Sequence, residues 1–370
     1  AHGHQAVLMA PTEVLARQHA LTLTQALSAS KVRVALLVGS LTASERQKNL
    51  ERIAAGEVDI IVGTQAVVQD NVRFAKLGLV VIDEQHKFGV RQRARLKQSS
   101  LDPHYLVMPA TPIPRTVAMT LFGDLEVSTL REAPPGRPGV HTYLVTDDKR
   151  EQWWNFVGRK LNEGRQAYVV APLVEESDQV EVASIEALYE SLANGPLEAF
   201  RLALLHGRMP TAEKEAVMAD FRNARAQVLV ATTVIEVGVD VPNATLMTIE
   251  GAERFGLAQL HQLRGRVNRG TSPGFCAVFA NPTTEDAERR LAAFVDNTDG
   301  FKLAEIDFEL RGPGEILGTR QHGLPPLRIA DLARDADTLT QARTAAIALI
   351  ESDPDLTHPE HARLRQLVMN

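Results

Sequence analysis

The chain has 370 residues, 44% hydrophobic and 23% charged, and a formal net charge of −6. This is the composition of a soluble globular protein of about two domains, with no apolar run near the ~18 residues of a membrane span and no signal peptide. A negative chain does not advertise nucleic-acid binding, so any such site must rest on local basic groups. The single Cys276 excludes an internal disulfide and suits a reducing cytoplasm, and no Cys/His cluster has metal-ligand spacing. The chain opens on Ala1 and enters a strand within a few residues, which reads as part of something longer.

In chain order, Gln5-Ala6-Val7-Leu8-Met9-Ala10-Pro11 predicts a buried strand, with Thr12 capping the helix after it and Glu13 in its first turn. A second strand over 34–38 ends in Gly39-Ser40, and Thr42-Ala43-Ser44-Glu45 has capping-box spacing for a helix to about residue 55. A third strand over 59–62 ends in Gly63-Thr64. Then comes Gly78-Leu79-Val80-Val81-Ile82-Asp83-Glu84-Gln85-His86, an apolar strand delivering two carboxylates at its C-terminal edge. Open parallel sheets hold ligands at that edge, where paired acids face a metal, a water or a cation. On this stretch alone, an ordinary strand followed by a solvated acidic turn explains the residues equally well.

The second half repeats the first. Gln166-Ala167-Tyr168-Val169-Val170-Ala171-Pro172 matches the opening strand 161 residues on (5 to 166). Ala203-Leu204-Leu205-His206-Gly207 matches Ala35-Leu36-Leu37-Val38-Gly39 at 168 (39 to 207), and the same shift carries Glu45 to Glu213, Val62 to Val230 and Thr64 to Thr232. Strands alternating with helices, twice over, predict two homologous α/β lobes with parallel sheets. The expected layout is a truncated first lobe over 1–130, a Pro/Gly-rich linker over 131–142 and a second lobe over 143–282. A helical hairpin and loop over 283–326 and a polar C-terminal segment over 327–370, with no chemistry assigned, complete it. The hairpin rests on the spacing of Ala287, Leu291, Phe294 and Val295, a break at Thr298-Asp299-Gly300, and Phe301, Ala304 and Phe308 beyond it.

In the second lobe, Thr248-Ile249-Glu250 stands where the first has its carboxylate pair. What this lobe contributes instead is Gln262-Leu263-Arg264-Gly265-Arg266-Val267-Asn268-Arg269, arginines around a glycine at an expected helix start. Guanidinium groups bind phosphate bidentately and keep their charge, which suits phosphoryl transfer; a solvated basic helix face is the structural alternative.

Together, five stretches resemble the superfamily-two helicases over nearly the whole chain: Asp83-Glu84-Gln85-His86-Lys87-Phe88-Gly89-Val90, Ala110-Thr111-Pro112-Ile113-Pro114-Arg115-Thr116, the run from Thr232-Thr233 to Val241-Pro242, the run from Gly256-Leu257 to Gly265-Arg266, and the run from Asp307-Phe308 to Arg320-Gln321. Gln85, Val237-Gly238-Val239-Asp240 and Gly318-Thr319-Arg320-Gln321 side with the branch that acts in bacterial fork repair over the transcription–repair coupling translocases.

The resemblance implies two tandem RecA-like lobes, ATP and Mg²⁺ as cofactors, branched double-stranded DNA (forks, Holliday junctions) as partner, and a cytoplasmic monomer without membrane contact. By the same resemblance Asp83 would hold Mg²⁺ and Glu84 would orient and deprotonate the attacking water. Arg266 and Arg269 would reach the γ-phosphate from the surface of an open cleft, with Gln262 beside them and Gly238 and Asp240 touching the nucleotide. Pro11, Thr12, Gly39, Gly63, Thr64, Arg208, Thr232 and Thr233 would meet DNA phosphates, each glycine having a tight turn as its structural explanation. His86, Ala110, Thr111, Arg311 and Gln321 would couple hydrolysis to movement.

Pro109 and Asn268 depart from the usual Thr or Ser and Gly, and Lys87 from an Arg. The phosphate loop G-x-x-x-x-G-K-[ST] is absent from these residues. In the family it lies upstream, as does a wedge domain, so the 370 residues by themselves are expected to be inactive.

Overall fold

The structure, a computed structural model, describes residues 3–84, 103–109, 127–130, 138–172, 178–233, 241–267, 270–311 and 335–369. The chain divides into a unit of residues 1–112 and 133–303 and a unit of residues 113–132 and 304–370.

The larger unit contains two parallel sheets. Strands β1 (Gln5–Met9), β2 (Val34–Leu37), β3 (Ile60–Gly63), β4 (Leu77–Asp83) and β5 (His104–Met108) lie in the order β2-β3-β1-β4-β5. The second sheet takes β6 (Val140–Val145), β7 (Gln166–Val170), β8 (Leu202–Leu205), β9 (Val228–Ala231), β10 (Ala244–Ile249) and β11 (Gly274–Phe279), in the order β6-β11-β10-β7-β9-β8. Apart from β6, the orders are the same arrangement, β8-β9-β7-β10-β11 standing for β2-β3-β1-β4-β5. The second sheet starts at Val140, inside the expected linker, because β6 finds a parallel partner in β11.

Helix α1 (Glu13–Ala26) is capped by Thr12, whose side chain accepts from the Leu15 N–H, and α2 (Ala43–Ala54) begins in the Thr42–Glu45 capping box. In the second lobe α3 (Arg150–Asn162), α4 (Asp178–Ala193) and α5 (Thr211–Arg222) are followed by α6 (Leu257–Arg264). Strands β7, β9 and β10 are buried along their whole length, as βαβ crossovers covering both faces require, whereas the edge strands β5 and β6 are partly exposed. In the first lobe Val7, Met9, Leu37 and Ile82 pack on one face, and Ala10, Leu15, Val38 and Val62 form a second cluster. In the second lobe Trp153, Trp154, Val157 and Leu161 of α3 close over Val169, Val230 and Leu246.

A detail below the level of the strand order also repeats. Between Gln5 and Ala6 the register on β4 jumps from Leu77 to Leu79, and between Gln166 and Ala167 the register on β10 jumps from Ala244 to Leu246. Both glutamines are buried, and each side-chain amide donates to two backbone carbonyls: Gln5 to Ile53 and Val58, Gln166 to Phe221 and Ala226. Those carbonyls are themselves 168 residues apart (53 to 221, 58 to 226).

Helices α7 (Glu285–Asp296) and α8 (Gly300–Arg311) flank the expected break, with Thr284 capping α7 and the Asp299 carboxylate accepting the Phe301 N–H at 2.8 Å. The segment expected only to be polar carries α9 (Ala336–Ser352) and α10 (Ala362–Met369). No helix among the described residues is long and apolar enough to cross a membrane.

Candidate functional site

All strands of each sheet are parallel, so the residues following them collect on one edge per lobe. In the first lobe these are Pro11-Thr12, Gly39-Ser40, Gly63-Thr64 and Asp83-Glu84; in the second they are His206-Gly207-Arg208, Thr232-Thr233 and Glu250-Gly251.

Asp83 closes β4 opposite Met108 of β5, and the next N–H, that of Glu84, donates to the Met108 carbonyl at 2.9 Å. This hydrogen bond ends the β4–β5 ladder, and there the chain leaves the strand with Glu84 at φ +52°, in the left-handed region. A side chain there costs about 1–2 kcal/mol, and such strain gathers at functional sites. The pairings of β4 and β10 make Glu250 the counterpart of Asp83 and Gly251 the counterpart of Glu84. Gly251 has φ +57°, so the second lobe makes the same turn with the residue that takes it without penalty.

The carboxylates have opposite fates. Glu250 is bound by Arg150, Nη2 to Oε1 at 2.6 Å, while that guanidinium lies 4.2 Å over the Phe279 ring. Burial pushes the Glu250 carboxyl up, and Arg150 opposes this with its charge and hydrogen bond. This acid is spent on an internal ion pair. Asp83 instead meets His19 of α1, Oδ2 to Nε2 at 2.7 Å. Sequence reasoning missed His19, although it lies seven residues beyond the cap Thr12 and hence on the same face of α1.

Arg266 was expected on the surface near a helix start. The structure corrects both points. Leu257, Leu260 and Leu263, all buried, draw the helix N-terminal of the arginines, and Arg264 ends α6. Gly265–Val267 is a 3-10 turn packed on β10 and β11, with a Cβ at Gly274 excluded by the Val267 carbonyl at 2.6 Å. The Arg266 side chain is therefore only 7% exposed, and its Nη2 lies 4.0 Å from Glu84 Oε1.

Arg264 belongs to a different environment. It donates to the Phe294 carbonyl at 2.8 Å, lies 4.4 Å from the centre of that ring and bonds His261 at 3.2 Å. Burial, with the Arg264 charge adding to it, pushes the His261 imidazole down to about 4. Arg264 thus ties α6 to α7. Gln262 is half-buried on α6.

Of the residues expected to meet phosphates, Gly39 and Arg208 are exposed, and Pro11, Thr12, Thr64 and Thr233 are half-buried. Gly63 and Thr232 are buried. Gly63 is a packing glycine, since a Cβ would stand 2.2 Å from the Leu37 carbonyl. Thr232 is 1% exposed, with its hydroxyl turned inward among the described residues. Beside Gly39, the Ser40 N–H and hydroxyl donate to the Glu13 carboxylate, and Arg17 donates to the Ser40 hydroxyl oxygen at 3.0 Å. Arg17 also comes within 3.9 Å of Glu215 in the second lobe. His86, Ala110, Thr111, Gly238, Asp240, Arg269, Gln321 and the Arg311 side chain lie outside the described residues.

Two RecA-like lobes, one ending in an Asp-Glu pair and the other presenting a buried arginine to it, form the motor architecture of superfamily-two helicases. The DEAD/DEAH box helicase model matches residues 1–120, the helicase conserved C-terminal domain residues 148–271, and the model for ATP-dependent DNA helicase RecG, domain 3, C-terminal, residues 297–369. The ATP-dependent DNA helicase RecG of Synechocystis sp. is 48% identical over 97% of this chain and 43% of its own length; that of Bacillus subtilis is 47% identical over 98% and 53%. A structure of RecG bound to a three-way DNA junction aligns with TM-score 0.72 at 44% identity, over 91% of this chain and 44% of that one. Saccharomyces cerevisiae Dbp5 bound to RNA, at 18% identity and TM-score 0.55, shares the fold alone. The chain belongs to the RecG family of superfamily-two helicases. It spans about half the length of the curated relatives it matches.

Proposed function

We propose that the complete protein is an ATP-dependent translocase on double-stranded DNA that remodels stalled forks and Holliday junctions in repair and recombination. It would act as a monomer in the cytoplasm, and this chain would form its motor. The observation that carries the reading is Glu84: a glutamate held in a left-handed turn beside Asp83, within 4.0 Å of the buried Arg266 of the other lobe. Glu84 would orient and deprotonate the attacking water, and Arg266 would stabilise charge on the transferring phosphoryl group, with Arg269 as its companion.

The residues present fit Mg²⁺. That ion takes one or two carboxylates and draws its other ligands from phosphates and water, and the Asp83 carboxylate, held through Oδ2 alone at the sheet edge, is a donor of that kind. Asp83 would hold it, and bound there the ion would neutralise charge on the phosphates. Gln262, Gly238 and Asp240 would contact the nucleotide. Gly39, Thr64, Arg208, Thr233 and the backbone at Pro11-Thr12 would hold DNA phosphates without reading sequence. Arg311 and Gln321, with His86, Ala110 and Thr111, would couple hydrolysis to movement.

The test uses the complete protein, with ATP hydrolysis and strand separation measured on a three-way junction and on a linear duplex of equal length. Junction-stimulated hydrolysis with strand separation is expected. Hydrolysis indifferent to DNA would overturn the reading.

A further inference from the structure

We propose that His19 is a positioning residue for Asp83: it fixes the carboxylate in the one orientation that presents its second oxygen to a divalent metal ion. The inference rests on the functional reading above and adds to it a residue outside the expected site.

A carboxylate at the end of a strand turns freely about its last bond, and either oxygen can meet a ligand. Here Oδ2 is held by the His19 imidazole at 2.7 Å, so the group cannot swing and Oδ1 is left to meet the ion or its water. Both partners are partly withdrawn from solvent, His19 to 27% and Asp83 to 18% side-chain exposure, which strengthens the bond relative to one at the surface. The holder is itself well anchored. His19 sits mid-way along α1, whose N-terminus is capped by Thr12 and whose Leu15 and Ala16 are buried against Val38 and Val62.

The second lobe shows what a purely structural arrangement looks like. There the equivalent acid, Glu250, faces a permanent cation, and Arg150 closes on it at 2.6 Å. A guanidinium beside Asp83 would compete with a metal ion for the same charge. The His19 ring meets one carboxylate oxygen through a single nitrogen and leaves Oδ1 to the ion. Partners that orient metal-binding carboxylates and imidazoles are worth about 10- to 100-fold in metal affinity.

The experiment compares His19→Leu, which removes the donor, with His19→Gln, whose amide keeps an N–H at similar reach, and with Asp83→Asn, all in the complete protein. Two quantities are read: the Mg²⁺ concentration for half-maximal ATP hydrolysis, and the affinity for a fluorescent ATP analogue with and without Mg²⁺. His19→Leu should raise the Mg²⁺ requirement about 10-fold or more. It should weaken analogue binding only when Mg²⁺ is present, and His19→Gln should recover most of the loss. If Asp83→Asn shifts the Mg²⁺ requirement and His19→Leu does not, His19 has no positioning role and the proposal fails alone. If His19→Leu weakens binding equally with and without Mg²⁺, its role is structural and the proposal also fails. If Asp83→Asn leaves the Mg²⁺ requirement unchanged, the assignment of the metal to Asp83 falls and takes this proposal with it.

Discussion

Glu84 and Gly251 occupy the same position in the two lobes and share a left-handed backbone, φ +52° and +57°. The turn is a property of the fold, made cheaply by glycine in one lobe and against a steric penalty by glutamate in the other. A glutamate kept at such a place is kept for its carboxylate. Glu84→Gln preserves size and strain but removes the proton acceptor. In the complete protein it should leave the melting temperature and ATP binding unchanged while lowering hydrolysis about 10²-fold or more. Phosphate release and nucleotide binding measured on one preparation decide this, and normal turnover by the amide would mean the carboxylate has no chemical task.

Arg266 calls for a paired test because it is buried. Arg266→Ala should lower turnover by roughly 10³-fold. It should also destabilise the larger unit by about 2 kcal/mol, since it empties a packed site and strips Glu84 of a nearby charge. Arg266→Lys separates the two effects: it restores charge and much of the volume but not the planar fork. Melting temperature should recover with lysine while turnover stays low. Recovery of both would reduce Arg266 to a simple counter-charge.

The two buried glutamines are staples. Gln5 donates to the carbonyls of Ile53 and Val58 and accepts the N–H groups of Ala75 and Lys76, so one side chain satisfies four backbone groups at a strand-register jump. Leucine has similar volume and no hydrogen-bonding capacity. The Ile53 carbonyl keeps the Gly56 N–H, and Ala75 and Lys76 lie at the surface, so the Val58 carbonyl is the group stripped of its partner and Gln5→Leu should cost about 1–3 kcal/mol. Gln166→Leu should cost a comparable amount in the second lobe. Urea unfolding midpoints measure both, and a change below 1 kcal/mol would show that water or local relaxation replaces the amide.

This repeat marks where sequence reasoning succeeds. Gln5 and Gln166 stand out because they head matching strands, and the repeat to which they belong implies two homologous lobes with parallel sheets, as found. The caps at Thr12 and Thr42 were equally legible, being contacts between residues three apart. What stayed hidden depends on distant neighbours. Asp83 and His19 are 64 residues apart and no local pattern joins them. The burial of Arg266 follows from a turn settling on β10 and β11, and the burial of Gly63 from the carbonyl of Leu37. The kinship of Glu84 with Gly251 is invisible in the letters, because the two turns share backbone conformation and not residue type.

A second left-handed pair runs in the opposite sense. Gly56 (φ +71°) and Ala224 (φ +56°) follow α2 and α5 at positions 168 apart (56 to 224). Each carbonyl accepts from the arginine just before the strand that precedes its helix, Arg33 before β2 and Arg201 before β8. Alanine in this conformation is strained by about 1 kcal/mol, and its side chain is exposed, so nothing is lost by removing it. Ala224→Gly should therefore stabilise the second lobe by up to that amount, and Gly56→Ala should weaken the first by about as much. Thermal midpoints of opposite sign would bear this out, and a destabilising Ala224→Gly would mean that unfolded-chain entropy outweighs the strain.

In the smaller unit, Asp353 holds the turn between α9 and α10. Its carboxylate accepts the N–H groups of Thr357 and His358, both at 2.9 Å, the Thr357 hydroxyl at 3.1 Å and His361 Nδ1 at 2.7 Å. Inside the turn Leu356 is buried with φ +50°. The bond from His361, followed by the backbone N–H groups, holds the Asp353 carboxyl well below the ordinary carboxylate range. A carboxyl whose folded value is depressed contributes stability above its unfolded value, about 3.9, and loses it as the pH falls through the folded value. The turn should hence be fully formed at neutral pH and loosen progressively as the pH drops below about 4. Amide hydrogen exchange at Thr357 and His358, corrected for the intrinsic rate at each pH, follows the opening directly. Protection should be steady from pH 7 down to about 4 and then decline, while Asp353→Ala should show little protection at any pH. Undiminished protection at the acid end would mean that neutral Asp353 still holds the turn and that its charge contributes nothing.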